Sequence, residues 1–92
     1  MHENSVARSL VNTIDTLAAS RGAQAVVSAQ VRLGELAFMT EEDLREHFIH
    51  ASKGTRAEGA LLLVHSNSNG EDEGTLEGLV LESVELQLEP GF

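Results

Sequence analysis

At Gly22 the apolar residues change period, and that switch restricts the chain to folds that mix helix with sheet. Before it, Val6, Leu10, Ile14 and Leu17 recur at i, i+4, i+8 and i+11, widened by Ala7, Val11 and Ala18. This is one stripe of an amphipathic helix. Asn4 and Ser5 are good N-cap residues, and Gly22 after Arg21 is a natural stop, so the spacing predicts a helix over 5–20. After Gly22, Val27, Ala29, Val31 and Leu33 alternate with Ser28, Gln30 and Arg32. Strict alternation is the mark of a half-buried strand, here apolar on its odd positions.

The rest of the chain repeats the switch. Thr40 and Asp43 have the spacing of a helix-capping motif, and Glu41, Glu42 and Asp43 suit the positive end of a helix dipole. Leu44, Phe48 and Ala51 supply an apolar face, with Ile49 beside it, and Lys53-Gly54 closes the segment. A second helix is expected over 41–52. Ala60–Val64 is the longest apolar run and reads as a well-buried strand. From Ser66 to Thr75 the chemistry is that of a loop. Val84, Leu86 and Leu88 alternate again, but Leu79 and Leu81 stand on the opposite parity, which predicts a bulge near Glu82 and Ser83. Pro90-Gly91 ends the strand. The last two strands are expected to pair antiparallel across their loop, and the second helix to act as a crossover. The fold class expected is α+β: a small mixed sheet of three to four strands, covered on one face by two helices.

Size and composition exclude several classes. Ninety-two residues make one domain, 1–92, with a modest core. No apolar run approaches the roughly 20 residues of a membrane span. The start of the chain lacks a basic stretch followed by a long apolar one, so no secretory signal is expected. Cysteine is absent, which excludes disulfides, thiol catalysis and thiolate zinc sites, and fits a cytoplasmic location. Residues 1–56 hold seven acids against six bases, whereas residues 57–92 hold eight acids and no base. A phosphate backbone would be repelled by that second part, and neither Trp nor Tyr is present to stack on bases. Nucleic acid is therefore not an expected partner.

The residues best suited to chemistry stand at the start. A free α-amine on Met1, the amide nitrogen of His2 and the His2 imidazole can close two small chelate rings on one ion. Three nitrogen donors in a plane suit Ni(II) or Cu(II) far better than Mg(II) or Ca(II). A fourth position is open to the Glu3 amide or carboxylate, or to a group elsewhere, with Thr40 and Glu41 at the start of the second helix as candidates. Against this stands the frequency with which a histidine falls near a chain start by chance. His47 and His50 lie at i and i+3, without the His-Glu-x-x-His pattern of a metalloprotease. The i,i+4 pairs Asp43–His47 and Glu46–His50 account for them as surface pairing. His65 ends a strand beside a polar loop, where a solvated ring is the default. No Gly-x-Ser-x-Gly elbow or phosphate-cradling loop is present. No enzyme is expected.

Three stretches carry a resemblance: Met1-His2-Glu3 with Ser5, Val31-Arg32-Leu33-Gly34-Glu35-Leu36, and Gly54-Thr55 followed by Ala57-Glu58-Gly59-Ala60. In that order and spacing the chain resembles HypA/HybF, the nickel-delivery proteins of nickel–iron hydrogenase maturation. Residues 1–65 carry the likeness, and Leu79–Leu88 resembles the family's closing strand. The resemblance implies a nickel-binding metallochaperone that hands Ni(II) to a hydrogenase large subunit, usually with a maturation GTPase, and in some members to urease. It also implies Met1, His2 and Glu3 as the nickel end. The family carries a zinc module of two Cys-x-x-Cys pairs between its last two strands. Here the loop 66–75 stands in that place, and no zinc is expected.

Two further readings follow from the residues. A metal-free protein-interaction module on the same scaffold would dock a partner through exposed sheet or the acidic face. An exposed edge strand could also pair two copies as a homodimer.

Overall fold

A computed structural model describes residues 3–34, 39–66 and 79–88, with side chains from Ser5 onward in the first segment. The elements run α1 (Glu3–Ser20), β1 (Ala23–Leu33), α2 (Glu41–Ala51), β2 (Leu61–Ser66) and β3 (Leu79–Leu88). The class is the α+β arrangement expected, with a three-stranded mixed sheet among the described residues.

Helix α1 buries most of the stripe its period marks out, with Val6 and Leu17 half-buried at its border. Ala7, Leu10, Val11, Ile14 and Ala18 are all buried. The helix starts two residues before the expected boundary, so Asn4 and Ser5 lie in its first turn rather than capping it. Gly22 ends it with φ 70°, a conformation that costs a residue with a Cβ but not glycine. A turn of only Arg21 and Gly22 then reverses the chain, and α1 packs back along β1.

Strand β1 departs from strict alternation. Val26, Ala29, Val31 and Leu33 are buried, but Val27 is 43% exposed. Pairing with β3 explains the error. Val26 faces Leu86 and Ser28 faces Glu85, so Val27 is an extra residue on β1 and leaves the core parity. A similar irregularity falls between Ala23 and Ala25. The bulge expected near Glu82 is present: Gln30 faces Ser83 and Val31 faces Leu81, leaving Glu82 over. It restores parity, so Leu79, Leu81, Val84 and Leu86 all pack against one core.

The strand order is β2-β1-β3. The crossover holds: β2 lies parallel to β1 after α2. The expected β2–β3 hairpin does not form, because β1, the longest strand, pairs on both edges and separates them. Ser66 and Leu79 both lie opposite Leu33, on its two sides. The connection between them, including the loop expected over 66–75, lies outside the described residues beyond Ser66. Strand β2 is also not well buried. Leu62 is 3% exposed but Leu61 is 60% exposed. A continuous apolar run fits a strand covered on both faces, whereas β2 is an edge strand covered on one.

Helix α2 starts at a cap. The Thr40 side chain accepts from the Asp43 amide at 3.1 Å, as its spacing predicts. Leu44 and Phe48 are buried in the same cluster as α1 and the sheet. Each such buried side chain contributes about 1.5–3 kcal/mol relative to exposure. The connection from α2 to β2 is tied down twice. The Asp15 carboxylate of α1 accepts from the Arg56 amide at 3.0 Å and from its guanidinium at 3.3 Å. The Arg56 carbonyl accepts from the Val26 amide at 2.8 Å, on the part of β1 that extends past β2.

Candidate metal centre

Topology gathers one end of each of the five described elements at one end of the molecule. Helix α1 runs antiparallel to β1, so its start lies over the C-terminal end of β1. Helix α2 leaves from that same end, because it must carry the chain back to begin a strand parallel to β1. The last residue of β2 and the first of β3 flank Leu33 there too. Glu3, the first residue of α1, therefore lies at the end where α2 begins.

Met1 and His2, expected as nickel donors, lie outside the described residues. Of Glu3 the backbone is described, and it opens α1. That position has a chemical consequence. The first amide groups of a helix have no intrahelical acceptor. A metal bound through the amide nitrogens at this end would break no hydrogen bond of the helix. The positive end of the helix dipole also favours nitrogens that have lost their protons.

The start of α2 brings oxygen donors to the same end. Glu41, Glu42 and Asp43 occupy its first turn. Glu41 is engaged by Arg45 at 2.8 Å, while Glu42 is exposed. No group of three or more histidines and carboxylates converges among the described residues.

The other histidines do not join this end as a cluster. His47 is half-buried and His50 exposed on α2. The pairs expected for them, Asp43–His47 and Glu46–His50, are not among the ion pairs of the described residues; Glu41–Arg45 forms on that helix instead. The longer Arg45 side chain reaches the Glu41 carboxylate one turn away through a single Nη1–Oε2 contact. His65 lies on the exposed face of β2, its Nε2 3.1 Å from the Gln30 Oε1. A shallow open groove lined by Phe48, Ile49, Ser52, Lys53 and Gly59 sits at the far end of α2. Its lining mixes one cation, one carboxylate (Glu58) and apolar groups, with no paired acids.

Fold and placement together define, among the described residues, a small two-helix, three-stranded domain in which α1 and the acidic first turn of α2 start at the same end. Residues 1–70 match the family model described as hydrogenase/urease nickel incorporation, metallochaperone, hypA. The chain belongs to the HypA family. A hydrogenase maturation factor HypA of Archaeoglobus fulgidus is 44% identical over 62 residues, covering 67% of this chain and 56% of that protein. The HypA of Methanopyrus kandleri is 42% identical over 60 residues, covering 65% of this chain and 42% of that protein. The match thus spans about half the length of these curated relatives. The solution structure of the nickel metallochaperone HypA from Helicobacter pylori superposes with a TM-score of 0.77 at 20% identity, covering 97% of this chain and 100% of that one. At that identity the likeness establishes the fold. Among the described residues, no helix is long and apolar enough to cross a membrane.

Proposed function

We propose that this chain binds one Ni(II) ion at its N-terminus and delivers it to a nickel enzyme under maturation, a nickel–iron hydrogenase or a urease. The donors are the Met1 amine, the His2 amide and imidazole, and the Glu3 amide or carboxylate. Where Glu3 does not fill the fourth position, a group at the start of α2 does, with the N-cap Thr40 and Glu41 as the candidates. The observation that supports the reading is the start of α1 at Glu3, whose amide is among the first of the helix and so has no intrahelical acceptor. Membership in the HypA family supports nickel as the cargo.

Delivery needs a site that lets go. A donor set confined to a chain end, with few side chains, can pass its ion to a more enclosed site by exchanging one donor at a time. In this reading the protein is a carrier and not an enzyme. It acts in the cytoplasm and docks on a hydrogenase large subunit and a maturation GTPase. Residues 1–92 form a single nickel-binding domain, in which a connection including 66–75 takes the place of the zinc module.

Calorimetric titration of untagged protein with Ni(II) is expected to give about one equivalent. Binding displaces protons from the imidazole, the amine and the amides. Affinity should therefore weaken as pH falls through about 6.5, where imidazole protonates. An affinity unchanged between about pH 7.5 and pH 5.5 would rule out an imidazole–amide donor set.

A further inference from the structure

Strand β3 presents a free edge of unusual charge. Among the described residues it lies outermost in the sheet, bonded to β1 on one side only. Its Leu79, Leu81, Val84 and Leu86 are committed to the core. Past the bulge at Glu82, residues 83–88 form an uninterrupted stretch whose outer backbone groups have no strand partner among the described residues. Unpaired edge groups of this kind are a template for a further strand.

The charges decide which strand. Glu82 and Glu85 are both exposed, and β3 carries no base. Glu82 meets Arg32 only at 3.8 Å, and Glu85 accepts from the Ser28 hydroxyl at 3.4 Å. Residues 57–92 as a whole hold eight acids and no base. A second copy pairing β3 on β3 would set these carboxylates near one another, which destabilises a cross-strand pair. A basic strand would set Lys or Arg against them. The bulge and the carboxylates thus reject self-pairing while leaving an edge of six residues open to the opposite charge.

We propose that the 83–88 edge of β3 is a docking site for an extended, Lys- or Arg-bearing segment of a partner protein, added as a fourth strand. Main-chain hydrogen bonds hold the segment, and Glu82 and Glu85 select its charge. The proposal does not rest on the nickel donors.

The test uses a fluorescein-labelled decapeptide of alternating valine and lysine, read by anisotropy and by amide hydrogen exchange on the full chain. The peptide is expected to bind, to bind more weakly in high salt, and to slow exchange at β3 amides. Glu82→Lys combined with Glu85→Lys should weaken it by about tenfold or more, since each surface pair is turned from attraction to repulsion. Both side chains are exposed, so circular dichroism and Ni(II) titration of the variant should match the parent. Methylating alternate backbone nitrogens of the peptide should abolish binding. Equal binding by the methylated peptide would overturn the proposal, because charge attraction alone would then suffice. So would equal binding to the double variant, absence of binding, or a dimer in sedimentation with β3 amides already protected.

Discussion

Replacing His2 by alanine should reduce Ni(II) affinity by at least about a hundredfold and leave the fold intact. In the proposed chelate the imidazole is one of three nitrogens that close two linked rings, so its loss opens a ring as well as removing a donor. Outer-shell partners of metal ligands already cost 10–100-fold when mutated, and a donor within the ring should cost no less. His2 precedes α1, whose core stripe begins at Ala7, so urea unfolding should be unchanged. Equal nickel affinity in the variant would refute the donor assignment. Equal loss of affinity and stability would mean that His2 acts through the fold.

The largest effect on stability is expected at Phe48. It is the bulkiest of the fully buried side chains and joins α2 to the cluster formed by α1 and the sheet. Phe48→Ala should cost about 3–5 kcal/mol from lost burial and the cavity left behind. A domain of this size has on the order of 5–14 kcal/mol in all. Helix α2 has only 11 residues, too few to persist without its packing. Its release would also free the crossover between β1 and β2. Phe48→Leu, which keeps much of the volume, should lose far less. A cost below about 1 kcal/mol for Phe48→Ala in urea denaturation would show that α2 contributes little to the core.

Local periodicity made the elements legible. The stripe from Val6 to Ala18 and the Thr40–Asp43 cap both report on local spacing within one element, so the cap forms as read and the stripe is buried except at Val6 and Leu17. The parity break between Leu81 and Val84 marked the Glu82 bulge for the same reason. What pairs across the sheet was less legible. Val27 has the residue type of a core strand, and only its register against Leu86 and Glu85 shows that it is surplus. The separation of β2 from β3 depends on β1 using both edges, which no local pattern records. Leu61 looks buried in sequence because apolar runs do not reveal which strands lie at an edge. Asp15 and Arg56, 41 residues apart, carry no sequence signal of the contacts that fix the α2–β2 connection. The metal end shows the reverse case. The proposed donors are read from atom types in Met1-His2-Glu3, while the placing of the start of α2 at the same end as the start of α1 follows only from the topology.

The most direct test of the nickel end compares two preparations: one with a free Met1 amine, and one with that amine acetylated. Titrated with Ni(II) at about pH 7.5, the free form should develop the yellow absorption of a planar nickel–nitrogen complex at one equivalent. The acetylated form should not. Identical spectra and affinities from both would contradict a chelate built on the Met1 amine.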